Sequence, residues 1–282
     1  MDDDPILQRI VPTLSQVKGV AAIMLGGSRA RGTDHKASDY DIGLYFSTEE
    51  MLDTGQLLEA VRTLVDDPLR ANVTPVGDWG RWIVGGGWLS VDGRKVDLLY
   101  RNIEAVATAI EACRAGDISM HYQPGHPHGF CSAIWMGEVA LGLPLHDPAR
   151  RLARLKARSS PYPAALRHAL IRKFQWEILF SIENAEIAVS RREGTHIAGC
   201  TYRALACLAQ VLFALNERYL INEKGALQEA AMLPLTIADL TKRVANVWRL
   251  IGEESFSPAP SILRGLEQEL AAMSRLPRTN EA

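Results

Sequence analysis

Two aspartates one residue apart, Asp39 and Asp41, flank Tyr40 and lead into the apolar alternation Ile42, Leu44, Phe46. A period of two predicts a strand, in which residues i and i+2 share a face. Both carboxylates then project together, and two like charges that close want a cation between them. Paired carboxylates that keep bound water and share their ion with phosphates are the usual way of holding Mg²⁺. Upstream, the apolar run Val20 to Leu25 has the length of one buried strand and ends in Gly26-Gly27-Ser28. The glycines allow a sharp turn with positive φ. Ser28 suits the N-cap of a short following helix, and backbone N–H groups open at such a turn seat phosphate oxygens. Local positive charge comes from Arg29, Arg31, Lys36, Arg94 and Lys95.

Residues 88–101 supply another acid. Asp92-Gly93 between two β-prone runs is a two-residue hairpin signal, and the returning strand carries Asp97 between Val96 and Leu98. An acid inside an apolar strand is costly unless it is paired or binds metal. Taken singly, each feature has a plain structural alternative: an ordinary turn, two exposed aspartates, a salt-bridged edge residue.

In this order, Gly27-Ser28, a spacer, then Asp39-Tyr40-Asp41 resembles the nucleotidyltransferase superfamily of the polymerase β type, whose signature is Gly-Ser, a spacer and Asp-x-Asp. Its members usually carry a third carboxylate on a later strand, and Asp97 matches it. The resemblance covers roughly residues 20–100. It implies an α+β chain: an N-terminal nucleotidyltransferase domain with a small mixed sheet flanked by helices, followed by a C-terminal helical bundle. It further implies AMP transfer from ATP to a hydroxyl with release of pyrophosphate. Asp39, Asp41 and Asp97 would hold two Mg²⁺ ions. Gly27 and Ser28 would grip the terminal phosphates, with Arg29 and Arg31 beside them, and Asp97 could accept the hydroxyl proton.

The chain of 282 residues is 47% apolar and 23% charged, an ordinary globular profile, and its net charge of −2 argues against bulk nucleic-acid binding. Cys113, Cys131, Cys200 and Cys207 form no Cys-x-x-Cys pair and read as small buried hydrophobes in a reducing compartment. The acidic start Met-Asp-Asp-Asp-Pro does not read as a signal peptide, and no uninterrupted apolar run approaches a membrane span. The expectation is a cytoplasmic protein.

Several elements must position the acids. Residues 5–17 read as a short helix broken or kinked at Pro12. Ser47-Thr48-Glu49-Glu50 reads as the start of a helix continued by Leu57, Leu58, Val61 and Leu64-Val65. Asp78-Trp79-Gly80-Arg81-Trp82 and Gly85-Gly86-Gly87-Trp88 read either as a bulged edge strand with packed tryptophans or as an aromatic wall beside the nucleotide. His121, His126 and His128 lie in a proline-stiffened loop, without cysteine or carboxylate at zinc-ligand spacing. Glu138, embedded in the apolar run Ala133 to Leu141, reads as an interior ion pair or an extra acid near the cleft. His146-Asp147-Pro148 would cap a basic helix from Ala149 to Arg158, mostly a solvated face with a member or two in reach of triphosphate.

The stretch Ser159-Ser160-Pro161-Tyr162-Pro163 divides a catalytic domain, 1–158, from a substrate-side helical bundle, 159–282. Expected helices are Ala165 to Arg192, Thr195 to Leu220, Leu235 to Ile251 and Ser261 to Leu276. Asn216, Glu217, Asn222, Glu223 and Lys224 interrupt the apolar pattern as a helix end or a piece of substrate cleft. A minimal nucleotidyltransferase domain followed by a helical bundle resembles the kanamycin-, streptomycin- and lincosamide-modifying enzymes. That likeness implies a small hydroxylated acceptor, an aminoglycoside or related antibiotic, and by analogy a homodimer. The competing readings are an adenylyltransferase acting on a protein or tRNA, as in antitoxin-like relatives, and an inactive nucleotide-binding homologue.

Overall fold

The computed structural model describes residues 4–275, and the fold is α+β. These residues form two compact units. One takes in the chain up to Ala112, Met120–Gly125 and Phe130–Pro161; the other takes in Cys113–Ser119, His126–Gly129 and the chain from Tyr162.

The first unit is built on a mixed sheet. Its strands are β1 (Ala22–Leu25), β2 (Tyr40–Phe46), β3 (Gly86–Val91), β4 (Arg94–Asn102) and, after the short pair β5 (Met120–His121) and β6 (Phe130–Cys131), β7 (Leu143–His146). The spatial order is β3-β4-β2-β1-β7; β2 and β4 run parallel and the other neighbours antiparallel. Alternation along the strands sends Ile42, Leu44, Val96 and Leu98 to one face. There they bury with Ile6, Ile10 and Leu14 of α1 (Pro5–Ser15) and with Leu57 and Val61 of α3 (Thr54–Arg62), after α2 (Gly27–Arg31). The opposite face carries Asp41, Asp97 and, further down β4, Arg101.

The unit is completed by α4 (Ile103–Arg114, whose last residues fall in the second unit), α5 (Ala133–Leu141) and α6 (Arg151–Arg158). Asp92-Gly93 makes the expected two-residue turn, with φ of +50° and +69° and Val91 opposite Arg94.

Several boundaries differ from expectation. Helix α1 continues through Pro12. Ser47 to Glu50 does not open a helix: α3 starts at Thr54, where the Asp53 side chain accepts from Gln56 N at 2.9 Å. The Ser47 hydroxyl still accepts from Glu50 N at 3.0 Å, but Thr48 N donates to Glu104 on α4, so the turn does not propagate. Strand β7 has no counterpart among the expected elements. It has four residues, contains Pro144 and pairs only with β1, and proline is tolerated on such an edge. Asp147 then caps α6 as expected, accepting from Arg151 N and Ala153 N, although the helix begins at Arg151.

The second unit is helical: α7 (Ala164–Val189), α8 (Gly194–Leu215), the short α9 (Ala226–Ala230), α10 (Leu240–Gly252) and α11 (Pro258–Arg275). Helix α7 packs on α8 and α11. Helix α10 starts later than its apolar pattern suggests because Asp239, at φ +54°, breaks the chain before it. The expected end at Leu276 lies outside the described residues. Helix α8 is long and apolar enough to cross a membrane by length and composition alone, but 67% of its most apolar stretch is buried against the rest of the protein, as in a core helix.

Candidate active site

On β2 and β4 the register sets Asp41 directly opposite Asp97. Asp39 precedes β2 by one residue, two before Asp41, and it lines with Asp97 a cleft of about 700 Å³. The bend after β1 lies on the other side of β2. Gly26 N donates to Asp41 O at 2.8 Å, and Gly27 has φ +62°. A Cβ on Gly27 would lie 1.8 Å from Asp41 Oδ2, so the missing side chain is what lets the bend lie on that carboxylate.

The bend corrects one expectation. Ser28 is not the N-cap of α2; Gly26 is, without any side-chain cap bond, and Ser28 is the second residue of the helix. Arg29 is largely committed to shape. Its guanidinium donates to Ser38 O at 2.8 Å and Asp39 O at 3.2 Å, pairs with Asp34 at 3.3 Å and lies 3.8 Å over the Tyr40 ring. It therefore clamps the 34–40 loop that delivers Asp39. Arg31 sits in the last turn of α2, and Arg94 donates to Lys36 O, tying the hairpin to the same loop.

The three acids share a face without forming a closed ligand shell: among the described residues no three His, Cys, Asp or Glu side chains are gathered tightly enough to hold a metal. Asp41 leans toward the bend while Asp39 and Asp97 line the cleft. Mg²⁺ keeps several waters and takes one or two carboxylates plus substrate phosphates, so an all-oxygen set opened in this way suits it.

Other candidates fall outside this cluster. Glu138 makes a two-pronged ion pair with Arg101 at 2.8 and 2.9 Å, and the arginine is only 2% exposed. Arg101 is four residues along β4 from Asp97, about 13 Å at strand rise, so Glu138 is an interior partner and not an acid of the cleft. Burial opposes the Arg101 charge, yet Glu138 outweighs it and holds the guanidinium above its ordinary range.

The basic helix is similarly spent on structure. Arg151 pairs with Glu104 and Arg158 with Glu111. Lys156 Nζ donates to Ala140 O at 2.5 Å and Gly142 O at 2.7 Å, capping the C-terminus of α5.

The three loop histidines are divided: His121 ends β5 in the first unit, its ring 4.8 Å from that of Trp82, and His126 and His128 belong to the second. His126 meets Glu223 at 3.2 Å, and Arg203 donates to the His128 carbonyl and pairs with Glu177. Asn216 is a hinge pin, bonding Leu212 O, Leu235 O and Leu235 N.

The glycine-tryptophan segment is open to two readings from its sequence. The structure makes β3 the edge strand of the sheet, as the first of these readings expects, and Val91 opposite Arg94 sets Trp88 opposite Asp97. Trp88 is 72% exposed and stacks on Trp79, with centroids 4.6 Å apart. Trp82 differs: it is buried against Phe130 and Trp135.

Residues 8–74 match the polymerase beta nucleotidyltransferase family, a segment that contains the Gly26-Gly27-Ser28 bend, Asp39 and Asp41. That match spans about a quarter of the chain and stops short of Asp97. A nucleotidyltransferase-like protein from Exiguobacterium sibiricum 255-15 has a crystal structure that aligns at TM-score 0.42 and 12% identity, over 93% of this chain and 71% of that one. No curated protein matches the sequence.

Proposed function

We propose that this chain, with its polymerase β-like segment as the catalytic part, moves AMP from ATP to a hydroxyl of a small molecule and releases pyrophosphate. The observation that carries the reading is the pairing of Asp41 with Asp97 on one sheet face, beside the bend at Gly27. Asp39, Asp41 and Asp97 would hold two Mg²⁺ ions, which when bound neutralise triphosphate charge and acidify the attacking hydroxyl. Gly27 and Ser28 hold the terminal phosphates in the bend, and Arg31 adds positive charge at its edge. Arg29 keeps the loop before β2 in shape so that Asp39 stays on the face. Asp97 accepts the hydroxyl proton as the acceptor oxygen bonds to the α-phosphorus. The bond from that phosphorus to the β-phosphate oxygen breaks, and pyrophosphate leaves on the bend side.

The acceptor class we infer is a small hydroxylated molecule of the aminoglycoside kind, used in the cytoplasm. A homodimer is inferred by analogy with the antibiotic-modifying enzymes. The test is incubation of the protein with α-labelled ATP and Mg²⁺ against a panel of aminoglycosides and lincosamides and, separately, cell lysate. Label on one panel member with stoichiometric pyrophosphate supports the reading. Label only on protein or tRNA transfers the activity to a macromolecular acceptor, and no label anywhere, with no pyrophosphate, contradicts it.

A further inference from the structure

Helix α8 carries His196 and Cys200 one turn apart, at i and i+4, where side chains on one helix face meet. Cys200 Sγ and His196 Nε2 lie 3.5 Å from each other. Each differs from its counterparts elsewhere in the second unit and in the chain. Cys113, Cys131 and Cys207 are buried, whereas Cys200 is half-buried. His126 is held by Glu223 and His128 by Arg203, whereas the His196 ring is exposed and, among the described residues, bonds only to the thiol. The pair lines a groove of about 850 Å³ together with Phe180 and Asn184 of α7. Gly199, which lines it too, leaves that side uncovered: a Cβ there would meet nothing within 4 Å.

The spacing of the two donor atoms is the one a tetrahedral ion imposes. Bonds of about 2.3 Å to sulfur and about 2.05 Å to nitrogen, at an angle of about 109°, hold S and N about 3.6 Å apart. We propose that Cys200 and His196 bind a divalent ion of the zinc class on the second unit. Thiolate and imidazole suit Zn²⁺ and Co²⁺, whereas Mg²⁺ prefers carboxylate, phosphate and water oxygens. On binding, the ion takes the place of the thiol proton: the S–H bond breaks, the metal–sulfur bond forms, and the proton leaves to solvent. Among the described residues no third His, Cys, Asp or Glu is gathered with the pair. Two of the four tetrahedral positions therefore stay open toward the groove, for water or for a donor atom of a molecule lying against Phe180. The ion also clips successive turns of α8 to each other, so its binding free energy adds to the stability of the helix. The inference stands apart from the nucleotidyl-transfer reading, because its residues lie in the other unit and its ion is of another class.

The test is titration of Co²⁺ into the full-length protein, freed of metal with a chelator and read by absorption, for the wild type, Cys200→Ser and His196→Ala, with Zn²⁺ and Mg²⁺ as competitors. The wild type is expected to develop a thiolate-to-cobalt band in the near ultraviolet and the intense visible bands of a tetrahedral ion. Cys200→Ser should lose the ultraviolet band, and His196→Ala should bind Co²⁺ tenfold or more weakly. Zn²⁺ should discharge the bands, and an excess of Mg²⁺ should leave them in place. His196 is exposed, so its replacement spares the core, and far-ultraviolet circular dichroism checks the fold of both variants. No thiolate band in the wild type, a band that survives in Cys200→Ser, unchanged Co²⁺ affinity in His196→Ala, or displacement of Co²⁺ by Mg²⁺ overturns the site.

Discussion

Asp41 on β2 and Asp97 on β4 are register partners across a parallel strand pair, so two acidic residues stand side by side on one sheet face. Like charges set opposite each other in a sheet are destabilising, and a divalent cation relieves that strain. Mg²⁺ with ATP should therefore raise the melting temperature of the wild type by mass action. In Asp41→Asn and Asp97→Asn the shift should vanish and transfer should fall by about 100-fold or more, the equivalent of several kcal/mol of metal assistance. Stability without metal should stay within about 1 kcal/mol of wild type. Differential scanning fluorimetry and a pyrophosphate-release assay read both effects.

Gly26 and Gly27 look interchangeable in the sequence but should respond oppositely to substitution. Gly26 has φ −111°, and its added Cβ would meet nothing nearer than 3.6 Å. Gly27 combines φ +62° with a Cβ position 1.8 Å from Asp41 Oδ2. Gly26→Ala should keep most activity. Gly27→Ala should displace the carboxylate and cost about 1 to 3 kcal/mol of stability from backbone strain, with activity lost well below the unfolding temperature. Steady-state kinetics and urea titration of the two variants make the comparison.

Glu138 separates a structural acid from a catalytic one. Removing it by Glu138→Ala leaves Arg101, 2% exposed, without its charged partner, a change that typically costs about 3 to 5 kcal/mol. The expected result is a large drop in urea midpoint. Whatever fraction remains folded should keep a near-normal kcat. A stable variant with a collapsed kcat would instead place Glu138 in the chemistry.

His128 should give the second unit an acid sensitivity. Burial first, and then the charge of Arg203, push its imidazole down to about 4; Lys173 acts in the same direction, and Glu223 and Glu177 act against it. The unfolded chain takes up this proton near pH 6.5 and the folded chain only near 4. The unfolded state thus holds more protons throughout that window, and stability falls as pH drops through it, by up to about 3 kcal/mol. Below the ordinary carboxylate range, Glu177 and Glu223 add losses of the same sign. Urea titrations at pH 7.5, 6 and 5 should show the decline, and His128→Gln should flatten it above pH 5.

The candidate site is legible in the sequence because its signals are local. Period-two alternation sets Asp41 on the face opposite Ile42 and Leu44, whereas Asp39 lies one residue before β2, and Asp92-Gly93 fixes the hairpin that returns with Asp97. The same turn also pairs Trp88 with Asp97, by counting back from Val91 and Arg94. The start of α3 misleads because a Ser-Thr-Glu-Glu run meets capping chemistry that tertiary contacts to Glu104 redirect. Strand β7 is hidden by its brevity and by Pro144, and the pairing with β1 that defines it is not a local property. Nor can local pattern tell that Arg29 is absorbed in holding the 34–40 loop.

The most direct test of the central claim is anomalous diffraction from crystals grown with Mn²⁺ and α,β-methylene-ATP. The account predicts manganese peaks within about 2.1 Å of carboxylate oxygens of Asp39 and Asp41, one shared with Asp97, with the triphosphate tail against Gly27 and Ser28. Manganese elsewhere, or a triphosphate bound away from that bend, would contradict it.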